Sequence, residues 1–532
     1  MTTDHPRIAY LCMEFAVRED MQLYSGGLGI LAGDILKAAS DAQLPFVGIG
    51  LFWSEGYVTQ RVGSDGAVGH AWHPVSRDAL EPLAVEVSVG IEGRDVALRA
   101  WRLDGKGHVP LLLLEPRDER DRWITRRLYQ GRQGDRVMQE IVLGVGGVRL
   151  LRALGMDVDI LHLNEGHAVF AALELAREKM AQGMTFAEAI AAGRDQIVFT
   201  THTPVMAGNE EHAVDFMMEQ GADLSVLSRE NLVTLGGDPF NMTVAALRVA
   251  VRANAVAQLH ATTAQGMWAH VEGRAPITGI TNGVHVPTWQ DARMAATFAD
   301  GDPWDMHQRL KSELLAAVRE RTGAELALDR LVMGFARRAT MYKRPDLIFR
   351  EIERVAPLLE SGRLQLVFAG KSYPDDPGGQ DVVVGLIEMT RRFPRSVAFV
   401  PDYDMALGRL MTRGCDAWLN NPLRPSEASG TSGMKAALNG VLNVSILDGW
   451  WAEACDHGVN GWQFGDGLEG EGADERDLHA LLALLEDEVL ETYYERRDKW
   501  VAMMRAGEAM ARSRFSAARM LRDYGERLYR AP

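Results

Sequence analysis

The chain has 532 residues, 47% of them hydrophobic and 24% charged, an ordinary globular composition that excludes disorder and is long enough for more than one core. Lys plus Arg number 57 against 73 Asp plus Glu, and the resulting net charge of −16 argues against nucleic acid or an anionic membrane as the main partner. The longest apolar runs, residues 46–53 and 109–114, fall well short of the roughly 18 residues that a bilayer span requires.

The opening Met-Thr-Thr-Asp-His-Pro lacks the basic flank and apolar core of a signal peptide. Three scattered cysteines, Cys12, Cys415 and Cys455, form neither a disulfide framework nor a Cys-x-x-Cys metal site. Both features point to the cytoplasm. An acidic chain that binds phosphate needs a local basic pocket, and the 53 glycines are an excess that raises the question of where they gather.

Short β-branched and aromatic runs alternate with helical patterns from end to end, which predicts βαβ units and mostly parallel sheets. Strands are expected at 7–15, 45–51, 158–163 and 196–200, and in a second series at 331–336, 364–370, 397–401, 416–419 and 441–447. The turn-rich run from Thr297 to Pro303 precedes a helical pattern near 304–321, so the expected domains are residues 1–298 and 299–532. Residues 474–529 read as helix and are expected to pack back on the first domain. The fold class is α/β, two doubly wound sheets facing each other, with ligands beyond the carboxyl ends of the strands in an interdomain cleft.

In chain order, the first run that carries chemistry is Tyr24-Ser-Gly-Gly-Leu-Gly29, where Ser25, Gly26 and Gly27 open a helix with one apolar face. Backbone amides there form an anion site under the helix dipole, and a plain Gly-rich turn fits the fragment equally. Asn164-Glu-Gly-His167 and Thr201-His-Thr-Pro204 each follow a predicted strand. A lone histidine is more often structural, but His167 and His202 both stand where a cleft would open. Neither has metal-ligand spacing to a second His or Cys, so no metal is expected.

Arg337, Arg338, Lys343 and Arg344 follow the strand at 331–336 and supply the required basic pocket, Arg as a planar fork and Lys as a point charge; a solvated basic face is the alternative. Gly370-Lys-Ser372 resembles part of a P-loop but lacks its upstream glycine, since Gln365 stands there. The richest stretch runs from Asn420 to Gly440, with small residues and hydroxyls between Glu427 and Lys435. A semi-buried lysine at such a helix entry forms a Schiff base if its pKa is lowered, which residue chemistry alone leaves open.

The run Glu427-Ala-Ser-Gly-Thr-Ser-Gly-Met-Lys435 resembles the pyridoxal-phosphate motif of the α-glucan phosphorylases of glycogen, starch and maltodextrin. Met13-Glu-Phe15, Ser25-Gly-Gly-Leu-Gly29, Asn164-Glu-Gly-His167, Thr201-His-Thr203, Thr281-Asn-Gly283 and the Arg338–Lys343 cluster follow in the family's order, and the length matches its shorter prokaryotic members. The resemblance implies two Rossmann-like domains of the GT-B type and retaining phosphorolysis of terminal α-1,4-linked glucose to α-D-glucose 1-phosphate. Its partners would be an α-1,4-glucan and inorganic phosphate, its assembly a homodimer, and its cofactor pyridoxal 5′-phosphate, whose phosphate serves as proton relay.

Carried over residue by residue, Lys435 is the Schiff-base lysine, with Thr431, Ser432, Gly26 and Arg337 around the cofactor. Arg338, Lys343 and His202 are the catalytic set. Gly27, Asn254, Glu427, Ser429, Gly430 and His167 are the substrate contacts. Thr-Ser-Gly-Met-Lys in place of the commoner Thr-Gly-Asn-Met-Lys is a departure, as are Arg337 for Lys and Glu165 for Asp. The competing readings are a nucleotide-sugar-dependent glucan synthase of the same fold, and a non-catalytic glucan-binding relative.

Overall fold

The computed structural model describes residues 5–63, 66–104, 109–129, 131 and 133–530. The first four residues, on which part of the signal-peptide reading rests, lie outside them. The polypeptide forms two units, one built from Met1–Tyr57, Trp72–Thr281 and Met520–Pro532, the other from Val58–Ala71 and Asn282–Arg519. The turn at 297–303 therefore lies within the second unit. No helix of the described residues is long and apolar enough to cross a membrane.

The first unit holds a nine-stranded sheet in the order Ile277–Gly279, Arg252–Ala255, Ile197–Thr201, Ile160–Asn164, Ile8–Leu11, Phe46–Leu51, Pro110–Pro116, Arg94–Asp104, Glu81–Ile91. The first seven are parallel; Ile8 pairs with Phe46 on one side and Ile160 on the other. These strands are short apolar runs because helices such as Gly27–Asp41 and Gln133–Ala153 cover both faces of the sheet. The last two strands are antiparallel and join through Glu92-Gly93, both at positive φ, the turn that matches strand twist.

The second unit holds a six-stranded, all-parallel sheet in the order Val397–Val400, Leu364–Ala369, Leu331–Ala336, Ala417–Asn420, Leu442–Ile446, Gly461–Phe464. Helix Pro303–Thr322 starts on an Asp302 cap with Pro at its first position and stops at Gly323, which takes φ 75°. Its buried Lys311 and His307 both bond Asp416, at 2.6 and 2.9 Å, pinning the helix to the strand that follows. A hairpin of Thr59–Val62 and Val68–Ala71 belongs to this unit: Gln60 bonds the Gly370 carbonyl and the Ser372 amide, and Lys371 bonds the Val58 carbonyl. Gly370-Lys-Ser372 thus docks a hairpin.

The expected strands are present within a few residues of their predicted limits. The predicted helical tail is broken into helices Ala473–Leu484, Leu490–Glu495, Arg497–Arg514 and Ala517–Arg527, and the final residues belong to the first unit, where the Tyr529 hydroxyl meets His162 Nδ1 at 2.8 Å. The parallel part of each sheet reverses strand order once. The reversal in the first lies between Ile8–Leu11 and Ile160–Asn164, in the second between Leu331–Ala336 and Ala417–Asn420. The loops that leave the carboxyl ends of these four strands flank the switch points, where open α/β sheets take ligands.

Candidate active site

In the second unit, the loop after Leu331–Ala336 carries Arg337 and Lys343, and the loop after Ala417–Asn420 carries Glu427. Arg337 Nη1 bonds Glu427 Oε2, and Lys343 Nζ reaches the same oxygen at 2.9 Å. All three side chains are nearly enclosed. Burial pushes the Glu427 carboxyl upward, but the two cations overcome it and hold the group at about 2, so it is ionised at any working pH. Arg337 Nη2 also approaches Ser432 Oγ at 3.5 Å, and Trp418 Nε1 donates to that oxygen at 3.1 Å.

The basic run is divided by the backbone. Arg338, one residue on, is exposed, and no ion pair engages it among the described residues. Arg344 adopts φ 48° and turns the other way, into the Asn421 and Pro422 carbonyls, Asp474 and Asp477. It is fully buried and structural, a correction to its place in the expected basic pocket, because the left-handed residue reverses the chain there.

Behind Glu427 lies Asp448. It accepts the Glu427 amide at 2.9 Å and the Gly449 amide at 2.8 Å, while burial pushes its carboxyl up to about 7. Gly449 sits at φ 52°, and a Cβ there would lie 2.2 Å from the Ser429 carbonyl oxygen, so the turn must be glycine. Ser429 Oγ is buried without a partner among the described residues. Gly430 takes φ 71°, with Arg337 Nη2 beside it. Thr431 then leads into helix Ser432–Leu438. Gly433 explains one departure from the commoner motif: its carbonyl accepts Asn443 Nδ2 at 3.0 Å, and a Cβ would overlap Asn443 Oδ1 at 2.3 Å. Lys435, on the same helix, is buried, its Nζ 3.8 Å from the centre of the Trp289 ring.

The first unit assembles a different set. Glu165, at φ 69°, accepts the His202 amide at 2.6 Å, Thr203 Oγ1 at 2.9 Å and the Gly166 amide at 3.3 Å, which ties two strand ends together. His202 Nε2 lies 2.7 Å from Asn164 Oδ1; donating there leaves Nδ1 as the acceptor of a neutral ring. Burial pushes His202 down to about 3, and His167 likewise. Asn254 is fully buried and its Oδ1 accepts Thr200 Oγ1 at 2.6 Å, so its polar face is already committed.

His167 has neighbours that no sequence spacing suggested. Donor atoms of Glu140, His167 and Glu210 lie within 4.8 Å of one another. Arg136 Nε bonds Glu210 at 3.1 Å, so a cation already stands in the cluster. Burial raises the Glu140 carboxyl, whereas Arg136 holds Glu210 below the usual range despite its burial.

At the start of helix Gly27–Asp41, the Ser25 and Gly26 amides donate to Glu14 Oε2 at 2.6 and 3.2 Å. The predicted anion site therefore holds a carboxylate of the chain itself. Sequence reasoning also passed over Asn282, whose buried Oδ1 meets no donor among the described residues; its place in Thr281-Asn-Gly283 was the available signal.

No family model matches the chain. It is 37% identical, over 99% of its length, to the maltodextrin phosphorylase of Thermococcus litoralis, 71% of which is covered. It is 39% identical over 98% of its length to the glycogen phosphorylase of Mycobacterium bovis, with 70% covered, and 35% identical over 98% to that of Aquifex aeolicus, with 86% covered. Identity at this level along nearly the whole chain, across both switch points, means that the chain belongs to the α-glucan phosphorylase family.

Proposed function

We propose that the chain is a retaining α-glucan phosphorylase, which transfers the terminal α-1,4-linked glucosyl unit of a glycogen-like or maltodextrin chain to inorganic phosphate and releases α-D-glucose 1-phosphate. The observation that carries this reading is Glu427, held ionised by Arg337 and Lys343 on the loop that ends in buried Lys435.

Both cations meet Oε2 of Glu427, which leaves Oε1 to accept a sugar hydroxyl. The fixed negative charge favours an oxocarbenium-like transition state, and Ser429 Oγ and the Gly430 backbone add polar groups beside it. Glu427 cannot serve as the general acid, because it carries no proton at working pH. Asp448 can hold a proton, but both of its oxygens are occupied by backbone amides, so it positions the Glu427 loop. The leaving glucosidic oxygen therefore takes its proton from the substrate phosphate, whose oxygen attacks the anomeric carbon on the same face. Arg338, exposed and unpaired among the described residues, and Lys343 are the cations for that phosphate. His202, neutral, binds and orients through Nδ1.

Pyridoxal phosphate fits the donor set. Lys435 is a buried amine against an aromatic face, and Arg337 Nε is buried without an acceptor among the described residues. Lys435 would carry the cofactor, with Thr431, Ser432 and Arg337 toward its phosphate. When bound, the cofactor supplies a phosphate that holds and exchanges a proton. The two doubly wound units are taken as the halves of a GT-B fold.

A glucan synthase has no use for the buried lysine, which makes Lys435 the discriminating residue. Borohydride reduction followed by peptide mapping is expected to leave a pyridoxyl group on Lys435, together with phosphate-dependent release of glucose 1-phosphate from maltodextrin. An unmodified Lys435 in a fully active preparation overturns the reading.

A further inference from the structure

The Gly loop of the first unit was expected to offer open amides to an anion. Two are taken. Glu14, in the loop that leaves strand Ile8–Leu11, is only 2% exposed. Its Oε2 accepts the Ser25 and Gly26 amides, and its Oε1 accepts the Tyr129 hydroxyl at 2.8 Å. Tyr129 is itself anchored, with the Arg136 guanidinium 4.8 Å from its ring centre and Arg136 bound to Glu210.

The glycines around the carboxylate divide into two kinds. Gly29 is required by the clamp, since a Cβ would lie 2.6 Å from Tyr24 Cβ and 2.7 Å from Glu14 Oε2. Gly26 and Gly27 are not required by packing. A Cβ on either meets nothing within 4 Å among the described residues, and neither has positive φ. Their bareness leaves open space at the start of a 15-residue helix, where an oxyanion is favoured.

We propose that Glu14 is a positioning residue for the phosphorolytic reaction. It occupies the amides of Ser25 and Gly26 with an internal carboxylate, so that an incoming phosphate is confined to the Gly27 side of the loop and cannot settle deeper onto the helix end. The inference rests on the proposed phosphorolysis and on Gly27 being a substrate contact, as the family resemblance implies. Removing Glu14 deletes a negative charge and frees two amides, so phosphate binds more tightly but out of register.

The test compares Glu14→Ala, Glu14→Gln and Tyr129→Phe in the full chain, loaded with its cofactor. Glu14→Ala is expected to lower kcat about tenfold and to lower KM for phosphate about fivefold, the joint fall that marks unproductive ground-state binding. KM for maltodextrin should stay within about twofold. Calorimetric titration with inorganic phosphate should show the same fivefold tightening without any turnover. Glu14→Gln falls between wild type and Glu14→Ala, because its oxygen can accept the amides and its NH2 can donate to Tyr129 while the negative charge is lost, and Tyr129→Phe shifts both constants in the same direction but less. An unchanged or raised KM for phosphate in Glu14→Ala, or equal damage in Ala and Gln variants, overturns the inference. Absence of phosphate-dependent turnover in the wild type sinks the functional reading, whereas unchanged calorimetric affinity for phosphate in Glu14→Ala, in a wild type that does turn over, sinks the role of Glu14 alone.

Discussion

Two loops with similar composition, Tyr24–Gly29 and Glu427–Lys435, stand at equivalent places in two sheets, each after a strand beside the point where strand order reverses. Their electrostatics are opposite. In the second unit, cations converge on one acid and hold it ionised, while another buried carboxyl, Asp448, is pushed up to about 7. In the first, burial keeps His162, His167 and His202 at about 3 and His260 at about 4, so these imidazoles are neutral. One loop is built to hold charge. The other supplies backbone hydrogen bonds, and the carboxylate beside it, Glu14, accepts two of them.

The largest effect is expected at Lys435. Lys435→Ala should lower phosphate-dependent release of glucose 1-phosphate by about 10³-fold, the upper end of what loss of one preorganised group costs. Turnover near wild type would remove the charged loop from the chemistry altogether.

Adjacent arginines provide the next contrast. Arg337→Ala leaves Glu427 buried against Lys343 alone and should cost about 3–5 kcal/mol of stability, measured by denaturant titration. Arg338→Ala, on an exposed side chain, should change stability by less than about 0.5 kcal/mol. Its loss of turnover should nevertheless correspond to about 3 kcal/mol in the barrier at saturating phosphate, as for removal of one preorganised donor. If the two variants exchange these phenotypes, the roles of pairing and of phosphate binding are reversed.

Acid should separate the units. A histidine whose folded pKa lies near 3 binds a proton in the unfolded chain below about 6.5 but stays neutral when folded, so stability falls as pH drops through that window. Each such ring costs about 2–3 kcal/mol between pH 6.5 and 4.5. The raised carboxyls of Glu140 and Glu165 oppose this above about pH 4.5 and stop contributing below it, where both states are protonated. The raised Asp448 acts the same way in the second unit: it loses stability as pH rises from about 4 to 7, and Glu427 gives way only between about 4.5 and 2. Hydrogen exchange corrected for intrinsic rate should therefore show strands Ile160–Asn164 and Ile197–Thr201 opening, between about pH 4.5 and 3, before Leu331–Ala336. Simultaneous opening would break the contrast.

Much of this arrangement is legible in the sequence because a buried parallel strand is a short apolar run and a glycine, histidine or lysine just after it is easily seen. The long pair Glu81–Ile91 and Arg94–Asp104 is less legible, because antiparallel strands half open to water interleave Glu and Arg with their apolar positions. What distinguishes Arg337, Arg338 and Arg344 is a turn of the backbone, and no composition of the run reveals that Arg344 takes φ 48°. The Glu14 clamp spans 11 residues to Ser25 and 115 to Tyr129, and the Glu140–Glu210 approach spans 70. Such contacts are set by the way the sheet stacks its loops, and no local period records them.

The smallest effect sharpens the comparison at the charged loop itself. Ser432 Oγ receives Trp418 Nε1 and lies 3.5 Å from Arg337 Nη2, so its hydroxyl both satisfies a buried indole and steadies the arginine that holds Glu427. Ser432→Ala should cost about 1 kcal/mol in the cofactor-free protein, the net worth of one hydrogen bond. If the same hydroxyl also serves the cofactor phosphate, the loss must grow when pyridoxal phosphate is present, because a second partner is then left unmet. Equal losses with and without the cofactor, read as paired thermal shifts, would confine Ser432 to the Trp418–Arg337 framework.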